Sequence, residues 1–292
     1  MALANQRSLN NLQHVLICYG DSLGYYHGAK YQILANFHWY KYNAICIVTE
    51  RPELFSGYPV RVIGLNKHQL EEWSLKGTDH FGIKLQGLKL AIDSSPPSAQ
   101  RSLLLDTDMY WNRDPSTLTT EISPSSVVLY QNEGKIISSK NVSIQRYHQA
   151  LLDREVMYQQ GKRYSLDFDS EMWGSATIGI HHKSRHLLAD AFSLFEKLSP
   201  MVDAHTVEQF ALSEVARIGG YSRKNAKTYI EDWSSIGRKN HVTPILQKYF
   251  KSHGEHDFAG HLATFKQIKP RRPLSTLIQQ KFDRWKKKQF PY

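Results

Sequence analysis

The chain has 292 residues, 41% of them hydrophobic and 22% charged, which excludes a disordered polypeptide and leaves room for one large domain or two packed lobes. Thirty-seven Lys and Arg against twenty-seven Asp and Glu give a net charge of +10, a balance that favours an anionic partner such as a nucleotide, a phospholipid surface or a nucleic acid. No run approaches the roughly 20 apolar residues of a membrane span, MALANQRSLNNLQ lacks the apolar core of a secretory signal, and Cys18 and Cys46 both sit in apolar runs, so a cytoplasmic protein with two reduced, buried thiols is expected.

The elements follow in chain order. His14–Tyr19 (HVLICY) reads as a buried strand closed by Gly20-Asp21, and 28–40 as a helix. Asn43–Thr49 (NAICIVT) is a second buried strand and Val60–Ile63 a short third. Gln69–Trp73 and Phe81–Ile92 carry helical spacing, and Ser102–Leu105 is again a strand. Strands alternating with helices predict an α/β fold, a mostly parallel central sheet flanked by helices. The middle is polar, with a strand at Val127–Gln131 and a helix over Ile144–Met157. Ala176–His181 reads as a strand, and His186–Leu198 and Val207–Ile218 as helices. From Lys266 to Lys288 nine Lys or Arg accompany a single acid, Asp283. There Leu274, Leu277, Ile278, Phe282 and Trp285 share one helical face, as in an interfacial helix lying on anionic lipid.

The stretch RSLLLDTDMYW concentrates the chemistry. A buried strand ends in Asp106-Thr107-Asp108, and two carboxylates there reach one divalent cation together. Hard oxygen ligands suit Mg²⁺ or Mn²⁺, which take one or two carboxylates plus substrate phosphates. In open parallel sheets the ligand site lies beyond the carboxyl ends of the strands, which is where this pair falls. His181-His182 has no partner at metal-ligand spacing, so no zinc site is expected, and no P-loop motif is present.

The segment GIKLQGLKLAIDSSPPSAQRSLLLDTDMYWNRDP resembles the core of metal-dependent nucleotide-sugar glycosyltransferases of the GT-A fold, bacterial surface-polysaccharide type. Lys84 and Lys89, the strand Leu103–Leu105, Asp106, Asp108, Tyr110 and Asp114-Pro115 stand in the family's order. The block from Trp173 to Ile180 is similar to the family's small-residue segment that floors the sugar pocket, with Gly174 where Asn is commoner, followed by Ser175 and Ala176. His205–Ser213 is similar to the acidic-Gln-x-Ala-Leu helix start that faces donor sugar or acceptor. The resemblance covers about Val15 to Lys266. It implies a transferase domain over 1–265, with a nucleotide-binding half at 12–115 and an acceptor half at 116–265, and a basic tail at 266–292.

The resemblance also implies roles. Asp106 and Asp108 hold Mn²⁺ or Mg²⁺, and Lys84 meets a phosphate or a ribose. Tyr19, Gly20, Asp21 and Thr49, at the ends of the first two strands, hold the nucleotide base. HDFAGHLATFK resembles the C-terminal block that supplies a third metal ligand: His261, with His256 and Asp257 as alternatives, while Lys266 clamps the diphosphate. Glu208 is the carboxylate for an inverting base or for a retaining enzyme's sugar, with Asp169 and Glu171 behind it. The implied donor is a nucleotide-diphosphate sugar, UDP- or GDP-linked, and the acceptor a saccharide or glycolipid hydroxyl. The implied place is the cytoplasm, peripheral on the inner face of the plasma membrane, with no nucleic-acid partner.

Two other readings stay open. One is a sugar-nucleotide hydrolase or nucleotidyltransferase on the same kind of sheet, although Gly20–Tyr26 has no basic residue to hold a triphosphate. The other is a non-catalytic membrane- or nucleic-acid-binding protein.

Overall fold

A computed structural model of the protein describes residues 11–39, 44–268 and 270. The strands are β1 (Leu12–Cys18), β2 (Ala44–Thr49), β3 (Arg61–Gly64), β4 (Arg101–Leu105), β5 (Met109–Trp111), β6 (Ser126–Leu129) and β7 (Asn132–Lys135) in the first half. They continue as β8 (Glu155–Met157), β9 (Arg163–Ser165), β10 (Glu171–Trp173), β11 (Thr177–His181), β12 (Ser222–Asn225) and β13 (Ile230–Asp232).

The central sheet runs β12-β6-β11-β4-β1-β2-β3. β11 pairs antiparallel with β4 and β6, and every other pairing in the sheet is parallel. The mostly parallel α/β sheet expected from the alternation of elements is therefore found. Its inner strands are continuous apolar runs because both faces are covered. Alternate residues feed two cores. Val15, Cys46, Val48 and Leu104 pack with the helices Gly82–Asp93, His186–Leu198 and Val207–Ile218. Leu16, Cys18, Ile45, Ile47, Leu103 and Leu105 pack on the other side with Leu23–Trp39 and Ile236–His253. The sheet takes strands from both halves of the chain, so the two halves share one framework.

The structure departs from the expected elements in places. The helix over Ile144–Met157 is shorter: it covers Val142–Leu151, and Asp153, at φ 58°, turns the chain into β8. The long helix Ile236–His253 and the short strands β12 and β13 were not expected. Pro244 lies inside that helix and masks its periodicity, and β12 is the polar run SRKN. The amphipathic tail beyond 270 lies outside the described residues, and among those residues no helix is long and apolar enough to cross a membrane.

Candidate active site

The order of the sheet reverses at β1: β2 lies on one side of it and β4 on the other. The carboxyl ends of β1 and β4 diverge at such a point and leave a crevice. Tyr19 follows β1 there, and Asp106-Thr107-Asp108 follows β4.

Three contacts fix the aspartate turn. Asp106 donates its backbone N–H to the Ala176 carbonyl at 2.9 Å, extending the β4–β11 ladder by one bond. The Asp108 carbonyl accepts from the Trp233 N–H at 2.8 Å, just beyond the β5–β13 pairing. The helix Leu23–Trp39 presses on the turn through Gly28, where a Cβ would stand 2.2 Å from the Thr107 carbonyl oxygen. Only a glycine lets that helix sit so close.

The crevice is a cavity of about 800 Å³. Its wall on the first side holds Tyr19, His80 and Phe81. The Tyr19 hydroxyl donates to the His80 carbonyl at 3.1 Å, and the two rings stack with centroids 6.4 Å apart.

The floor is an ionic stack. Lys84 Nζ lies 3.0 Å from Asp106 Oδ2, 3.3 Å from the Ser175 carbonyl and 3.9 Å from Glu208 Oε1. The Ser175 hydroxyl donates to Glu208 Oε1 at 2.6 Å, and the Ser175 N–H donates to Gln209 Oε1 at 3.3 Å. Gln209 Nε2 in turn donates to Glu133 Oε2 at 3.2 Å. Burial opposes the Lys84 charge, but Asp106 and Glu208 outweigh it and hold its pKa above the ordinary value. Removal from water pushes Asp106 up to about 6 against the pull of Lys84. Burial likewise pushes Asp108 and Glu208 up.

The far wall is a second ionic cluster. Tyr130 donates to Asp232 Oδ2 at 2.6 Å and Ser234 donates to Oδ1 at 2.6 Å. Lys227 Nζ donates to the Tyr130 hydroxyl, lies 3.3 Å from Asp232 Oδ2 and sits 4.4 Å over the Tyr130 ring. Burial works against the Asp232 charge, yet these bonds and Lys227 hold its carboxyl well below the usual range. Lys239 approaches Asp108 Oδ2 at 3.7 Å.

Of the residues singled out from sequence, Tyr19, Lys84, Asp106, Thr107, Asp108 and Ala176 line this cavity together. Ser175 and Glu208 lie immediately behind it. Glu208 is 2% exposed, and its Oε2 is buried with no hydrogen-bond partner. That corrects its place: it faces Ser175 and Lys84, and Gln209, one residue further along the helix, reaches the cavity instead. A step of one residue turns a helical side chain by about 100°.

Others stand apart. Asp169 is exposed on a loop and pairs with Lys135 at 3.0 Å, and Glu171 pairs with Arg223 at 3.2 Å. Gly20 (φ 86°) donates its N–H to Glu50, Asp21 is exposed, and Thr49 is buried with its hydroxyl accepting from the Arg51 N–H at 3.1 Å. None of these lines the cavity.

The C-terminal block lies elsewhere too. His261 is fully buried among Tyr58, Tyr249 and Phe250, with Nδ1 2.6 Å from the Tyr58 hydroxyl. His256 is exposed against the Ser56 carbonyl, Asp257 caps the helix Phe258–Thr264, and Lys266 is exposed. Among the described residues no group of three or more His, Cys, Asp or Glu gathers to hold a metal. Sequence reasoning missed Tyr130, Glu133, Lys227, Asp232 and Lys239, whereas Gln209 stood in the acidic-Gln-x-Ala-Leu helix start and reaches the cavity.

No known family profile and no curated protein matches the chain. Solved structures similar to it include the galactosyltransferase LgtC in complex with donor and acceptor sugar analogues: 12% identity over 73% of this chain and 73% of that one, TM-score 0.49. Mouse xyloside xylosyltransferase 1 in its apo form is 13% identical over 82% of this chain and 93% of that one, TM-score 0.43. The apo glycosyltransferase GlyE of Streptococcus pneumoniae TIGR4 is 12% identical over 83% of this chain, which spans 51% of GlyE, TM-score 0.42.

Proposed function

We propose that the cavity transfers a sugar from a nucleotide-diphosphate donor to a saccharide or glycolipid hydroxyl, with Mn²⁺ or Mg²⁺ held by Asp106 and Asp108. One observation carries the reading: both aspartates and a buried lysine face a single cavity at the point where the order of a parallel sheet reverses. The donor set fits the metal. Two hard carboxylates, with no third His, Cys, Asp or Glu gathered beside them to complete a metal cluster among the described residues, suit an ion that fills its shell with water and the oxygens of a diphosphate. Bound there, a divalent ion neutralises charge as the diphosphate leaves.

The chain's own groups then divide the work. Lys84 keeps its charge between Asp106 and Glu208 and fixes the orientation of Asp106. Tyr19 and His80 offer a stacked aromatic wall for the base. The backbone at Gly174–Ala176 floors the sugar, braced from behind by Glu208. Glu133, on the cavity wall and hydrogen-bonded to Gln209, replaces Glu208 as the carboxylate positioned to take the acceptor's proton. A cytoplasmic, membrane-peripheral setting belongs to the same reading when the acceptor is a glycolipid.

The test is thermal stabilisation by a panel of UDP-, GDP-, CMP- and dTDP-sugars, with and without Mn²⁺, on the wild type and Asp108→Ala. Metal-dependent stabilisation by one donor, lost in the variant, is the expected result. No response to any donor overturns the transferase reading. Glu133→Gln should then lower kcat by roughly 10²- to 10⁴-fold while leaving donor binding intact.

A further inference from the structure

The three lysines of the cavity are held in different ways. Lys84 is buried and shared between two carboxylates. Lys227 is tied to Tyr130 and Asp232. Lys239 has a half-exposed side chain and meets Asp108 at 3.7 Å, beyond hydrogen-bond length.

Its position is also unfavourable for a purely structural lysine. Lys239 stands in the opening turn of the helix Ile236–His253, whose first turn contains no acid and does contain Arg238. Positive side chains at a helix N-terminus oppose the macrodipole. The backbone nevertheless aims this residue at the aspartate turn. β13 pairs with β5 directly after that turn, Trp233 bonds to Asp108, and the Lys239 N–H donates to the Ser235 carbonyl at 2.9 Å.

We propose that Lys239 is an exchangeable cation: it neutralises Asp108 while the cavity is free of metal, gives way when a divalent ion binds there, and moves to the diphosphate of the incoming donor. The inference rests on the reading of Asp106 and Asp108 as the metal site. It gives Lys239 the phosphate contact that the resemblance attached to Lys266, which does not line the cavity. Repulsion between an ammonium and a divalent ion at one carboxylate weakens metal binding in the absence of donor. The same ammonium strengthens it once phosphate oxygens are present to receive the positive charge. Metal and nucleotide therefore bind with positive coupling, and Lys239 carries part of it.

The experiment measures Mn²⁺ binding to the full chain by electron paramagnetic resonance, with and without UDP and GDP, for the wild type, Lys239→Gln and Asp108→Asn. Lys239→Gln should bind Mn²⁺ alone roughly three- to tenfold more tightly and lose much of the tightening that the effective nucleotide gives the wild type. Because Lys239 is half exposed, the variant is expected to fold as the wild type does. Unchanged or weaker Mn²⁺ binding by Lys239→Gln, with Asp108→Asn defective, overturns the lysine inference and leaves the metal reading standing. Wild-type Mn²⁺ binding by Asp108→Asn overturns the metal reading and the lysine inference with it.

Discussion

Lys84 Nζ lies 3.0 Å from Asp106 Oδ2 and 3.9 Å from Glu208 Oε1, so one buried ammonium serves both the cavity wall and the layer behind it. Removing it strands two carboxylates, one of them nearly solvent-free. Breaking a buried ion pair costs about 3–5 kcal/mol; the partial exposure of Asp106 lowers this to about 2–4 kcal/mol for Lys84→Met. Urea denaturation at pH 7 measures it. Adding Glu208→Gln to Lys84→Met should recover part of the loss, because the most deeply buried stranded charge is gone. A double-variant cycle with additive costs would show that Glu208 and Lys84 are not coupled.

The approach of Gly28 to Thr107 links a helix to the aspartate turn, and it predicts an asymmetry between two glycines. Gly28→Ala puts a methyl 2.2 Å from a backbone oxygen that the β4–β11 and β5–β13 contacts hold in place. The helix must shift, at about 1–3 kcal/mol, and the turn must shift with it. Gly87→Ala meets the Ile17 side chain, closest at its terminal Cδ1 methyl at 2.8 Å, which can rotate away, and alanine gains helix propensity there. Thermal denaturation with Mn²⁺ titration should show Gly28→Ala losing both stability and metal affinity while Gly87→Ala keeps the latter. Equal metal affinity in the two variants would uncouple the helix from the turn.

Acid should weaken the fold through a histidine remote from the cavity. His14, on β1, is 1% exposed, and burial lowers its pKa from 6.5 to about 3. The native state stays neutral between those values, while the unfolded chain takes up a proton. Stability is therefore complete above pH 6.5 and is lost as pH falls toward 3. At pH 5 the loss from this one group is about 2 kcal/mol. His182, lowered to about 4, adds in the same direction. Urea midpoints at pH 7 and pH 5 measure the slope, and His14→Leu should flatten it.

How far the sequence foretold this arrangement follows from which signals are local. β1, β2 and β4 were legible because strands covered on both faces are apolar throughout, and the aspartates were legible because they end such a run. Glu208 was misplaced by one helical step: a motif names adjacent residues, but only packing decides that the acid turns inward to Ser175 and the amide outward. Lys239 and Asp232 were invisible because their elements are short or polar, and Pro244 interrupts the helix pattern. His261 misled for the opposite reason. Its block looks like a ligand sequence, yet the rings of Tyr58, Tyr249 and Phe250 enclose it.

That enclosure makes the last prediction. His261 Nδ1 bonds the Tyr58 hydroxyl at 2.6 Å, and its ring centroid lies 4.9 Å from that of Phe250. His261→Ala leaves a cavity among aromatic rings and strips the buried Tyr58 hydroxyl of its partner, for a combined loss of about 2–4 kcal/mol. Tyr58→Phe, which removes the bond and keeps the ring, should cost less, about 1–2 kcal/mol. Both should leave Mn²⁺ affinity at the wild-type value when measured well below the unfolding temperature, since the histidine packs against the helix Ile236–His253 and does not line the cavity of Asp106 and Asp108. A His261→Ala variant that stays stable but loses Mn²⁺ would return the histidine to the metal's ligand set and require this end of the chain to reach the cavity.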